Sequence, residues 1–200
     1  VPPEPPDRVL IVLGSVTPPG RLRGALEQAA TRGRQRGPGI GLVDLADRRL
    51  GFADGRPPAE LEDDTAELLD AVASASAVVL ATPVYRGSMT GALKNLLDLT
   101  PVPALEGKPV GIVAMGGSDH HFLGAERHLR DVLAFFGALV LPYPVYLKSA
   151  DFTDGQASES AAARLDELID GAAALATLHA DAEPSLGPPN PLAVPAAARS

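Results

Sequence analysis

The 200-residue sequence predicts a doubly wound α/β fold, a five-stranded parallel sheet with helices on both faces. Three observations predict it. Five short apolar runs alternate with segments whose apolar residues recur at spacings of three and four, the rhythm of successive βαβ units. The first of these runs is continuous and rich in Val, Ile and Leu, as expected of a strand buried on both faces. Hydrophobic residues make up 46% of the chain and charged residues 21%, which is enough apolar side chain for one domain with a sizeable core.

The elements follow in order. Arg8 to Gly14 (RVLIVLG) is the first strand. Arg21 to Arg34 reads as a helix with Leu22, Leu26, Ala29 and Ala30 on one face. Ile40 to Leu45 is the second strand, and Ala59 to Ser74 is a helix through Leu61, Leu68, Leu69 and Val72. Ala77 to Ala81 (AVVLA) is the third strand, stopped by Pro83, and Gly91 to Leu99 a helix whose N-cap is Thr90 or Ser88. Pro109 to Met115 is the fourth strand and His121 to Phe136 a helix, with Phe122, Phe135 and Phe136 read as core. Ala138 to Leu147 is the fifth strand, broken by Pro142 and Pro144, so that part of it lies at an edge. Ser158 to Leu178 is the last helix. Right-handed crossovers arrange these strands in the order 2-1-3-4-5.

Composition narrows the function. A formal net charge of −8 repels phosphate backbones and anionic membranes, so neither a nucleic-acid binder nor a membrane-surface protein is expected. Without cysteine there is no disulfide framework, thiolate nucleophile or cysteine-ligated metal. The opening VPPEPPDR lacks the basic stretch of a signal peptide, and a cytoplasmic location is expected. Residues 1–7 read as a flexible N-terminal segment, 8–180 as the folded domain and 181–200 as a proline- and alanine-rich tail.

Ligands of such sheets sit beyond the carboxyl ends of the strands where the strand order reverses. That rule selects three segments. Gly14 to Arg21 (GSVTPPGR) matches neither the dinucleotide fingerprint nor a nucleotide P-loop, but it leads into a helix whose free N–H groups favour an anion. Arg21 opposes the helix dipole there. Either a bound phosphate resolves the conflict or Arg21 is a surface residue with nothing to hold, and spacing alone leaves both open. Thr82 to Thr90 carries Tyr85 at the mouth of the site and Gly87 where the backbone can approach a ligand closely. Gly116 to His121 brings two glycines and a serine to the fourth strand. Lys94 and Asp98 form an i,i+4 surface pair. His121 and His128 are seven residues apart, but no carboxylate completes a ligand set and no metal site is expected.

The motif T-P-V-Y-R-G-S-x-x-G-A-L-K-N-L-L-D at Thr82 to Asp98 resembles the signature of NADPH-dependent FMN reductases, a flavodoxin-like family. A-x-G-G-S-x-x-H at Ala114 to His121 and the opening V-L-G-S match the same family, and the likeness covers about residues 8–178. It is nearest to the flavin reductases of two-component alkanesulfonate and methanesulfonate monooxygenase systems. The resemblance implies that the loop from Ser15 through Thr17 and Gly20 to Arg21 holds the FMN phosphate. Pro83, Val84, Tyr85 and Arg86 would line the isoalloxazine, with Ser88 near the phosphate and ribityl end. Gly116, Gly117 and Ser118 would border the pyrimidine side, and His121 would lie near the flavin or a subunit contact. NADPH or NADH would deliver hydride to flavin N5, with no side chain named as acid or base. The resemblance also implies a homodimer or homotetramer, and a partner monooxygenase that receives reduced FMN.

The phosphate loop departs from the family pattern G-S-x-R-x-x-S-R-S/T: Thr17 replaces the first arginine, Gly20 the serine, and Leu22 the last hydroxyl. Hydrogen bonds to charged groups contribute roughly 1.5–3 kcal/mol each. The losses therefore amount to roughly two to four orders of magnitude in affinity before compensation, and a weakly held, exchanging FMN is expected. Two alternatives accompany this reading: an enzyme that retains FMN and reduces quinones or azo dyes, and a non-catalytic relative that has lost flavin binding.

Overall fold

A computed structural model describes residues 8–17, 19–37, 39–119 and 122–180. The terminal segments assigned from sequence, 1–7 and 181–200, and His121 lie outside the described residues. Strand β1 (Val9–Leu13) is central and pairs in parallel with β2 (Ile40–Asp44) and β3 (Ala77–Pro83). Beyond β3 lies β4 (Pro109–Met115), and the fifth place is filled by two short segments, β5 (Leu139–Val140) and β6 (Val145–Leu147). The order is therefore 2-1-3-4-5, with the last strand interrupted at Pro142 and Pro144 as their sequence position implies.

Side-chain alternation along β1 builds two cores. Val9, Ile11 and Leu13 face α1 (Arg21–Arg36) and α5 (Glu159–Ala180). Leu10 and Val12 face the opposite layer of α2 (Thr65–Ser74), α3 (Gly91–Leu99) and α4 (Phe122–Phe136). Each fully buried leucine or isoleucine in these layers, such as Leu26, Leu80 or Ile112, contributes about 1.5–3 kcal/mol. In register, Leu13 stands beside Asp44 on one side and Ala81 on the other, so the loops after β1, β2 and β3 leave from one edge.

Four details differ from the sequence expectation. The helix expected from Ala59 begins only at Thr65, because Asp63 and Asp64 accept backbone N–H bonds from Gly51, Thr65 and Arg49 and hold the approach as a turn. Strand β3 continues two residues past Ala81, and Pro83 is its last residue, opposite Met115. Phe136 is core at 3% exposure, but Phe135 is 56% exposed on the outer face of α4. A small hairpin of β7 (Phe152–Thr153) and β8 (Gln156–Ala157) precedes α5 and was not expected. No helix among the described residues is long and apolar enough to cross a membrane.

Candidate functional site

Buried polar groups fix the carboxyl edge of the sheet. Gly14 follows β1 so closely packed on α3 that a Cβ there would stand 2.5 Å from the Leu93 Cβ. Its carbonyl accepts a hydrogen bond from the Thr90 hydroxyl. Thr90 Oγ1 also accepts from the Leu93 N–H at 3.2 Å, so Thr90, and not Ser88, caps α3. The Thr90 N–H donates to Thr82 Oγ1 at 3.1 Å, and that hydroxyl donates to the Pro83 carbonyl at 2.9 Å. Both threonines are buried, and their bonds tie the ends of β1 and β3 to the start of α3.

The first loop opens onto a cleft of about 230 Å³ lined by Ser15, Thr17, Gly20, Arg21, Arg23, Asp44 and Pro83. Ser15 is buried, and its hydroxyl lies 2.9 Å from that of Thr17. Gly20 precedes helix α1 and offers no side-chain cap, and the first turn holds no acidic residue, which leaves its N-terminal N–H groups toward the cleft's anion-favouring end. Arg21 donates to Ser149 Oγ at 3.2 Å and stacks its guanidinium 5.3 Å from the Phe152 ring centroid. Phe152 of the unexpected β7–β8 hairpin and Ser149 in the turn before it therefore hold Arg21 in place. Asp44, 7% exposed, ends β2 at the same cleft. It accepts from the Ala46 N–H at 2.9 Å and from Arg23 at 3.1 Å. Arg23 also pairs with Asp47 at 2.9 Å and Glu27 at 2.8 Å, and the Glu27 bond leads the carboxylate contacts that raise its pKa further.

The second and third loops meet at a separate cleft of about 480 Å³ lined by Val84, Tyr85, Arg86, Gly87 and Gly117. Tyr85 and Ser88 exchange backbone bonds of 2.9 and 3.0 Å around Arg86 (φ 52°) and Gly87 (φ 77°). Positive φ at both central residues is the type I′ pattern. Helix α4 packs onto this turn so tightly that a Cβ on Gly124 would approach the Gly87 carbonyl oxygen to 2.2 Å. One helical turn on, His128 Nδ1 lies 2.9 Å from Ser88 Oγ. The third loop is braced from β6. Gly116 N–H donates to the Leu147 carbonyl at 3.0 Å, and the Tyr146 hydroxyl to the Ser118 carbonyl at 2.5 Å. Lys148 Nζ grips the Asp119 carboxylate at 2.7 and 2.9 Å, which raises the lysine pKa. Burial, with Asp119 second, raises that of the Tyr146 phenol.

The structure thus gathers Ser15, Thr17, Gly20, Arg21 and Pro83 at one cleft, and Val84, Tyr85, Arg86 and Gly117 at the other. Gly116 and Ser118 flank Gly117 in the braced loop, while the Ser88 side chain is engaged by His128. Sequence reading missed Arg23, Asp44, Tyr146 and Lys148, and it placed Gly14 and Thr82 in the selected segments without giving either a role. Asp44 carried a usable signal, a charge closing an apolar strand at the edge where ligands bind. The others declare themselves only through partners distant in sequence.

Residues 8–153 match the family described as NADPH-dependent FMN reductase. An NADH-dependent FMN reductase, SfnF, of Pseudomonas fluorescens is 42% identical over 143 residues, covering 69% of this chain and 74% of that protein. An NAD(P)H-dependent FAD/FMN reductase of Geobacillus thermodenitrificans is 41% identical over 115 residues, 58% of this chain, and the match spans 62% of that relative's length. Among solved structures, the apo form of an NADH:FMN oxidoreductase superposes with a TM-score of 0.66 at 26% identity, covering 83% of this chain and 88% of that one.

Proposed function

The chain belongs to the NADPH-dependent FMN reductase family, which makes it an NAD(P)H:FMN oxidoreductase, and from that premise we propose that it reduces free FMN and releases it to a separate monooxygenase. The residues present fit the group. Two hydroxyls, an uncapped helix start and Arg21 suit a phosphate, while an added Cβ on Gly117 would meet nothing within 4 Å, leaving room for a flat ring. Bound FMN supplies the hydride-accepting chemistry. Ser15, Thr17 and the first N–H groups of α1 hold the phosphate, with Arg21 adding charge from a position fixed by Ser149 and Phe152. Pro83, Val84, Tyr85 and Arg86 would line the ring, Gly116, Gly117 and Ser118 would border its pyrimidine edge, and Ser88 would lie near the phosphate and ribityl end. The half-exposed Tyr85 leaves one side open for the nicotinamide of NADPH or NADH. No side chain acts as acid or base. The exposed Phe135 on α4 fits a homodimer or homotetramer.

The observation that carries release over retention is the first cleft itself. Its two hydroxyls hydrogen-bond each other, and the position of the family's first arginine holds Thr17. Extensive dialysis of protein reconstituted with FMN, followed by absorbance at the flavin bands, tests this. Colourless protein that rebinds added FMN is the expected result. Stoichiometric FMN surviving dialysis would point to the flavin-retaining alternative.

A further inference from the structure

We propose that Arg23 and the carboxylates around it set how loosely the first cleft holds the flavin phosphate; this rests on the flavin-site reading above. Arg23 sits in the first turn of α1 and lines the cleft, the second arginine to do so. It is already committed, to Asp44 at 3.1 Å, Asp47 at 2.9 Å and Glu27 at 2.8 Å. One positive charge thus serves three negative ones before any ligand arrives.

Asp44 decides the balance. Its side chain is only 5% exposed, whereas those of Asp47 and Glu27 are 59% and 50% exposed and well screened by water. A phosphate entering the cleft meets a nearly dry carboxylate on the cleft wall, and their repulsion is weakened little by solvent. It can recruit Arg23 only by sharing the guanidinium with Asp44, so part of the attraction is offset by a bond already made. Asp44 cannot retreat, because its other oxygen accepts the Ala46 N–H that starts the turn after β2. Arg23 is therefore an affinity-determining residue, and Asp44 a positioning residue that keeps it from being a full phosphate clamp. The consequence is specific to the phosphate: the flavin ring lies against other residues, so riboflavin does not feel the competition.

The test is equilibrium titration of flavin fluorescence, FMN against riboflavin, with wild-type protein and three variants. Asp44→Asn keeps an oxygen for the Ala46 N–H while removing the charge; it should tighten FMN at least tenfold and leave riboflavin within about twofold. Asp47→Asn, at an exposed position, should tighten FMN by a smaller factor and serves if Asp44→Asn misfolds. Arg23→Met should weaken FMN more than tenfold and spare riboflavin. Unchanged FMN affinity in both Asp variants, with both flavins binding wild-type protein, would overturn the inference and leave the family reading intact. Failure of wild-type protein to bind FMN would overturn both.

Discussion

Lys108 begins the edge of the sheet opposite the site, where its ammonium donates to the Val72 and Ala73 carbonyls at the end of α2, at 2.6 and 2.8 Å. Burial lowers its pKa from 10.5 to about 8. The unfolded chain therefore binds more protons than the folded one between those values, and stability rises with pH across that window. In urea titrations at pH 7.5 and 10, wild-type protein should gain midpoint relative to Lys108→Met on going to the higher pH. Parallel shifts of the two proteins would contradict this. The two carbonyls favour the charged amine and moderate the effect. At this scale the sequence was legible where a residue's role is local. Thr90 caps the helix that starts one residue later, and Lys94 and Asp98 pair at 2.5 Å. Arg23 and Asp44 lie 21 residues apart and Ser88 and His128 lie 40 apart, and no local pattern joins either pair.

Among elements, the docking of α4 on the Tyr85–Ser88 turn controls the second cleft. Gly124 is required there because its neighbour is a backbone carbonyl that cannot rotate away. Gly124→Ala should push the turn outward, raising KM for FMN roughly tenfold or more at a stability cost of about 1–3 kcal/mol. His128→Ala, which releases only the Ser88 hydroxyl, should raise KM by a smaller factor without the stability loss. An unchanged KM in Gly124→Ala would show that the turn does not touch the flavin. Most elements were legible because their apolar periods are clean. The late start of α2 was not, since Asp63 and Asp64 are held as a turn by the N–H groups of Thr65 and of the distant Gly51 and Arg49. The β7–β8 hairpin had a signal, Asp154-Gly155 with φ of 49° and 79°, but its strands of two residues are too short to show a period.

Over the whole molecule, strand order decides where function sits. Parallel pairing sends the loops after β1, β3 and β4 to the same edge, reversal of the strand order between β1 and β3 opens the crevice there, and each loop carries residues the sequence had singled out. Location was therefore readable from alternation alone, while affinity was not. The charge surrounding the first cleft comes from β2, the turn after it and α1 together, and forms only when they assemble. The measurement closest to the central claim is the initial rate of NADPH oxidation under air by flavin-stripped protein, with FMN varied. A rate that appears only with added FMN and saturates in it is the predicted result. A rate independent of added FMN, or none at any concentration from folded protein, would contradict it.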